Sequence, residues 1–215
     1  MLEIFGLYLI LTDPVAGYES CAEAAVSEGV RYLQLRMKDR PRQQVAPVAS
    51  RLRRITQGTS TRFIVNDDLA VAMEVDADGV HLGQHDMRLD DARKAWTTEG
   101  KLFGLSTHDE EQELAARALA PDLIGVGPVF PTPTKKIPDP VLGVERAGKI
   151  IRSSPLTTVA IGGIDERNLG GLLDVGVRNF AVVRAVNGSD QPRAAIAKLM
   201  RLWRDHPVGA TQGAE

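Results

Sequence analysis

The sequence predicts a single (β/α)₈ TIM barrel, eight parallel strands with outer helices, on three observations. Eight short apolar runs rich in Val, Ile and Leu recur along the 215 residues, segments of helical period separate them, and no composition shift marks a linker. Parallel neighbours need a crossover connection, and a helix after each strand supplies it. A doubly wound open sheet is the alternative, but no G-x-G-x-x-G follows the first run, and eight near-equal units favour closure. The barrel is assigned to residues 1–205 and a flexible tail to 206–215.

The first run, LYLILT at 7–12, has the length of a strand and stops at Asp13-Pro14. A helix over 18–28 follows, with Cys21 expected in a buried position. The second run, RYLQLR at 31–36, leads to a helix over 43–57. RFIVN at 62–66 precedes a helix over 69–75, and ADGVHL at 77–82 precedes one over 89–96. KLFGLS at 101–106 leads to a helix over 109–119, where Leu114, Ala115, Ala118 and Leu119 repeat at three and four and polar residues fill the other positions. PDLIGVG at 121–127 enters a long loop and then a helix over 144–152. TTVAIG at 157–162 leads to a helix over 165–175, and NFAVVR at 179–184 to one over 190–203. The end, HPVGATQGAE, is small and polar and is expected to fray.

A formal charge of -2 gives no broad basic field, which argues against nucleic acid or an anionic membrane as partner and requires any bound anion to be held locally. Cys21 is the single cysteine, so neither an intramolecular disulfide nor a cysteine metal cluster can form. The apolar start has no basic flank and no small-residue cleavage site, and a cytoplasmic location is the expectation. Exposed apolar helix faces leave room for a homo-oligomer.

In a barrel the site lies at the carboxyl ends of the strands. There Gln34, Arg36 and Lys38 alternate, so strand period 2 points them to one side. Asn66, Asp67 and Asp68 end the third run, His81 to Asp86 follow the fourth, and Ser106 and Thr107 end the fifth. The sixth run opens into VFPTPTKKIPDPVLG, where Thr132, Thr134, Lys135 and Lys136 sit among prolines. Pro131 and Pro133 fix backbone dihedrals around those hydroxyls and lower the entropy lost when the loop orders. Asp67 and Asp86 are hard oxygen donors suited to Mg²⁺, and Arg36, Lys38 and Lys135 carry the opposite charge, so a metal-bound polyphosphate satisfies both sets. Gly162 and Gly163 precede Asp165, read as the N-cap of the seventh helix, and offer bare N–H groups to a second anion.

Each element has a duller reading. Asp68 suits a helix cap better than a metal, and a GG pair is most often a tight turn. Gln34, Arg36 and Lys38 could fill the barrel mouth with internal ion pairs. Asp109, Glu110, Glu111 and Glu113 read as a capped, solvated helix face, and His81 without a second ligand at metal spacing reads as structural. Their convergence on one rim outweighs each alternative taken alone.

The blocks QLRMK, VNDD, GVHLGQHD, GLSTH, GVGPVFPTPTKK and AIGGI resemble, in order and spacing, the thiamine phosphate synthase family, over about residues 6–203. The resemblance implies a transferase that joins 4-amino-5-hydroxymethyl-2-methylpyrimidine diphosphate to a thiazole phosphate or its carboxylate and releases pyrophosphate, with one Mg²⁺ per subunit. It assigns Gln34, Leu35, Arg36, Met37, Lys38 and Asn66 to the pyrimidine diphosphate, with Ser106 and Lys135 adding contacts. It assigns Asp67 and Asp86 to the metal, and Thr132, Pro133, Thr134, Gly163, Val183 and Arg184 to the thiazole phosphate. Arg36, Lys38 and Lys135 are the expected catalytic cations, while Lys136 lines the entrance. Arg184 stands where the family commonly has serine, so it either clamps phosphate or turns outward and leaves the work to backbone N–H groups. A thiazole tautomerase-like relative and a non-catalytic phosphate-binding barrel are the alternative readings.

Overall fold

A computed structural model describes residues 2–134 and 139–207. Lys135 and Lys136 lie outside the described residues, as does the tail from 208 onward. Eight strands, β1 (Leu7–Leu11), β2 (Tyr32–Leu35), β3 (Arg62–Asn66), β4 (Gly79–Leu82), β5 (Leu102–Thr107), β6 (Leu123–Val126), β7 (Thr158–Ala160) and β8 (Phe180–Val182), form a closed parallel barrel in chain order. The register Leu7↔Phe180, Tyr8↔Ala181 and Leu9↔Val182 closes β1 onto β8. Outside run α1 (Tyr18–Ser27), α2 (Arg42–Thr56), α3 (Leu69–Glu74), α4 (Leu89–Ala95), α5 (Glu110–Leu119), α6 (Val144–Ser153), α7 (Leu169–Asp174), a short α8 (Arg184–Asn187) and α9 (Pro192–Asp205). Among the described residues no helix is long and apolar enough to cross a membrane.

Strand alternation divides the apolar residues into two cores. Leu7, Leu9, Leu11, Leu33, Leu35, Phe63, Val65 and Val80 face the helices, where Cys21 is also fully buried. Tyr8, Tyr32, Ile64, Leu123, Val159 and Ala181 fill the barrel interior with Phe5. Tyr8 stacks on Tyr32 at 5.4 Å, and Phe5 lies 4.6 Å from Tyr32, so aromatic rings close the amino end of the barrel.

Asn179 ties that end together. Its side-chain oxygen accepts from the N–H groups of Phe5 (2.7 Å) and Gly6 (3.2 Å), and its amide donates to the carbonyls of Glu3 (2.9 Å) and Thr158 (3.1 Å). Asn179→Ala leaves four backbone groups without these partners and is expected to destabilise by about 3 kcal/mol, at roughly 1 kcal/mol or slightly less per lost bond. A urea midpoint unchanged from the wild type would refute that role.

The strands are shorter than the apolar runs, and three details differ from the sequence reading. Arg184 is not a strand end: β8 stops at Val182, and Arg184 begins a four-residue helix. Asp165 does not cap α7, which starts at Leu169 after Asn168. It holds the preceding turn instead, accepting from the Arg167 N–H at 2.9 Å. Glu113 is buried, paired with Arg117 at 2.8 Å, because Arg117 also reaches the Ser153 carbonyl and covers it. Asp109 and Asp68 do cap α5 and α3, accepting from Gln112 and Val71.

Candidate active site

The carboxyl ends of the strands surround a cavity of about 1350 Å³. Gln34, Arg36, Lys38, Asn66, Asp67, Asp86, Ser106, Thr132, Pro133, Thr134, Gly163, Val183 and Arg184 all line it. Period 2 in β2 and the segment after it produces the first three. The same alternation turns Leu35 and Met37 into the outer apolar core, so their side chains do not reach the cavity.

Asp67 is aimed by backbone. β3 ends at Asn66, paired with His81, and the chain bends through φ 61° at Asp67, whose N–H donates to the His81 carbonyl at 2.9 Å. A left-handed conformation is unfavourable for most L residues, though less so for Asp, and such strain gathers at functional sites. Asp86 is set from the next loop, where the Gly83 N–H donates to its Oδ2 at 2.8 Å. A Cβ on Gly83 would fall 2.8 Å from that same oxygen, so a side chain there would push the Asp86 carboxylate aside.

The two carboxyl groups meet and share a hydrogen bond, with Lys38 Nζ 3.1 Å from Asp67 Oδ2. Burial, then the Asp86 hydrogen bond and charge, push Asp67 up to about 6, and Lys38 opposes the rise. Burial also acts upward on Asp86, but the Asp67 and Gly83 hydrogen bonds and the Lys38 charge outweigh it and hold Asp86 below its usual range. Two carboxylates drawn together in a partly dry site call for positive charge. Among the described residues no three His, Cys, Asp or Glu side chains form a metal cluster, so any cation here would have two protein carboxylates and take its remaining ligands from water or substrate.

On the opposite side, Gly162 (φ 96°) and Gly163 (φ 69°) form the turn after β7. The Val129 and Phe130 N–H groups donate to the carbonyls of Ile161 (2.8 Å) and Gly162 (3.1 Å), stitching this turn to the loop after β6. Among the described residues the N–H groups of Gly162 and Gly163 make no hydrogen bond. Thr132 and Thr134 hydroxyls lie 3.0 Å apart beside them. Arg184 is exposed on the rim, between the main cavity and a smaller one of about 290 Å³. Neither Arg36 nor Arg184 has a carboxylate partner among the described residues, so both guanidinium groups stand available to an anion.

His81, His108 and Tyr8 are among the lining residues given no site role from sequence. His81, expected to be structural, faces the cavity and places its Nε2 3.0 Å from Ser106 Oγ. His108 contacts the Gly127 carbonyl through Nδ1 at 2.6 Å and lies 3.6 Å from Asp139, linking the loops after β5 and β6. Tyr8 reaches the cavity from below. Its place on the inner side of β1, two residues before Ile10, was readable from period 2.

The chain matches the Thiamine monophosphate synthase (TMP-TENI) family over residues 7–186. It is 39% identical over 207 residues to a thiamine-phosphate synthase of Synechocystis, covering 96% of this chain and 60% of that longer relative. It is 37% identical over 210 residues to a thiamine-phosphate synthase of Archaeoglobus fulgidus, covering 97% of this chain and 98% of the relative. The solved structure of a thiamine phosphate pyrophosphorylase from Pyrococcus furiosus superposes with a TM-score of 0.84 at 33% identity, covering 94% of this chain and 97% of that one. With the closed barrel, the match over most of the chain and relatives of this identity in agreement, the chain belongs to the thiamine monophosphate synthase family.

Proposed function

We propose that the chain catalyses the thiamine-phosphate synthase reaction, joining 4-amino-5-hydroxymethyl-2-methylpyrimidine diphosphate to 4-methyl-5-(2-phosphoethyl)thiazole or its carboxylate and releasing pyrophosphate. The observation that carries the reading is the polarity of the cavity. A contacting carboxyl pair with Lys38 beside it occupies one wall, and unbonded glycine N–H groups with two threonine hydroxyls occupy the other. That is room for two phosphorylated ligands, one of which arrives with a cation.

The donor set fits Mg²⁺: two hard carboxylates and a local excess of negative charge. Bound there by Asp67 and Asp86, Mg²⁺ would neutralise charge on the diphosphate. The bond to break is a benzylic-type C–O, and the electron-rich aminopyrimidine carries the cation left behind. Arg36 and Lys38, with Lys135 from the loop after β6, bind the leaving pyrophosphate where negative charge grows. Ser106, held by His81, and Asn66 orient the same substrate, whereas Leu35 and Met37 contribute backbone only. The thiazole nitrogen needs mainly placement, which the second wall supplies by holding its phosphate. Arg184 clamps that phosphate from the rim. Soluble phosphorylated substrates suit a cytoplasmic enzyme.

The test is the purified chain with both substrates and Mg²⁺, following thiamine phosphate as its oxidised fluorescent derivative. Product that requires all three supports the reading. A folded chain that forms none would sink it and leave proton transfer on the thiazole phosphate, or ligand binding without turnover.

Gly163 gives a more local prediction. At φ 69°, a Cβ there would lie 2.7 Å from both Phe130 Cβ and the Pro131 carbonyl, so alanine must displace the loop that carries Thr132 and Thr134. Gly163→Ala is expected to raise KM for the thiazole phosphate about tenfold or more, as one charge-assisted hydrogen bond is worth. KM for the pyrimidine diphosphate should move far less, and equal rises would contradict the two-wall division.

A further inference from the structure

The loop after β6 carries Thr132 and Thr134, and His108, the residue after β5, touches both of its limbs. The His108 side chain is 10% exposed, and its Nδ1 lies 2.6 Å from the Gly127 carbonyl on the outgoing limb. A carbonyl only accepts, so Nδ1 carries the proton and donates it. The other ring nitrogen, Nε2, faces the returning limb, 3.6 Å from Asp139 Oδ2.

The imidazole projects from a fixed base. Asp109 Oδ1 accepts from the Gln112 N–H at 2.8 Å, and Gln112 Oε1 accepts from the His108 N–H at 2.9 Å, so the first turn of α5 holds the backbone that carries the ring. On the loop side, the Gly127 N–H donates to the Thr107 carbonyl at 3.1 Å. Beyond Gly127 the two limbs bond to each other: the Leu142 N–H donates to the Pro128 carbonyl at 2.9 Å, and the Gly143 N–H to the Val129 carbonyl at 3.1 Å. Val129 and Phe130 are bonded in turn to the glycine turn after β7. Gly127 is buried, so its carbonyl depends on a protein partner, and His108 supplies one.

We propose that His108 is a positioning residue: it holds the root of the loop after β6, so that the Thr132 and Thr134 hydroxyls and the Gly162 and Gly163 N–H groups face one phosphate, without itself touching substrate. The kinetic consequence rests on the function proposed above, whereas the anchoring of the loop is measurable without turnover. With the imidazole removed, the buried Gly127 carbonyl loses its donor and the outgoing limb loosens. The Leu142 and Gly143 hydrogen bonds that depend on that limb then open more often.

The test compares the full chain with His108→Ala and His108→Asn. An asparagine amide nitrogen takes about the place of Nδ1, so this variant keeps a donor for Gly127 but falls short of Asp139. In amide hydrogen exchange, alanine is expected to speed exchange at Leu142 and Gly143 about tenfold, the effect of losing one buried hydrogen bond, and to leave the amides of β1 to β4 unchanged. In the thiamine phosphate assay alanine should raise KM for the thiazole phosphate about five- to tenfold and KM for the pyrimidine diphosphate by less than about twofold. Asparagine should bring both readings to within about threefold of the wild type. Faster exchange throughout the barrel, or equal rises in the two KM values, would make His108 a general structural residue and overturn the inference, as would asparagine behaving like alanine. Local exchange at Leu142 and Gly143 that responds as expected, in a chain whose wild type forms no product, would sustain the anchor and overturn the functional reading alone.

Discussion

Asp67→Asn is expected to lower turnover by at least about 10²- to 10³-fold, the loss typical of removing one group that stabilises developing charge, while leaving the metal-free protein at least as stable as the wild type above pH 6. The two effects share a cause. Asp67 lies in a partly dry site against Asp86, and burial followed by that contact pushes it up to about 6. Its ordinary value, 3.8, applies in the unfolded chain. Below pH 3.8 both states carry the proton and the shift has no effect on stability. Between there and about 6 the unfolded chain has released its proton while the folded chain retains it, so stability falls as pH rises; above 6 the penalty is complete. Asp86, held low, works in the opposite direction and offsets part of this. With water reaching the pair, a net penalty on the order of 1–2 kcal/mol remains. Asparagine keeps the shape without the charge. Urea melts in chelator at pH 5 and pH 8 should show the variant gaining on the wild type at the higher pH. A variant that loses stability equally at both would mean the carboxyl pair is not strained.

Most of the architecture was legible because each strand carries its own signal. Runs such as LYLIL and RFIVN are bounded by turn residues, and β2 shows its two faces directly: Gln34, Arg36 and Lys38 to the cavity, Leu35 and Met37 to the core. Asp67 and Asp86 are adjacent because β3 and β4 are neighbours, which chain order alone implies in a barrel. What was not legible depends on short or non-local effects. The helix at Arg184–Asn187 is one turn, too brief for any periodic pattern, and the side chain of Asn187 fixes it by donating to the Ile10 carbonyl across the barrel closure. Glu113 reads as solvated because its burial is created by Arg117 reaching Ser153 on another helix. Tyr8 was hidden among apolar neighbours in β1. Alternation identifies its inward face, but only the fold shows Gln34 within hydrogen-bonding distance.

Lys38→Ala is expected to reduce kcat/KM by about 10²- to 10³-fold and, at the same time, to move the acid limb of the pH–rate profile to higher pH. On the proposed function Lys38 would have two tasks that alternate. Without substrate its ammonium lies 3.1 Å from Asp67 and opposes the rise in that carboxyl group's pKa. On the proposed function, with the diphosphate and Mg²⁺ bound, this half-exposed side chain beyond the end of β2 would turn to the leaving group, and the metal would take its place on Asp67. Alanine removes both contributions. Asp67 and Asp86 then face each other without a cation, Asp67 is pushed above about 6, and a larger fraction of the enzyme is protonated at the site at pH 6 to 7. Sign and cause can be separated with Lys38→Arg, which retains a positive charge: its acid limb should stay near that of the wild type even where turnover falls because the guanidinium is placed differently. If Lys38→Ala loses turnover with an unmoved acid limb, Lys38 acts on the pyrophosphate alone and the ion pair with Asp67 has no part in preparing the site. If the limb moves but turnover at its optimum is unchanged, the ammonium serves only to keep Asp67 ionised, and leaving-group stabilisation falls to Arg36 and the loop after β6.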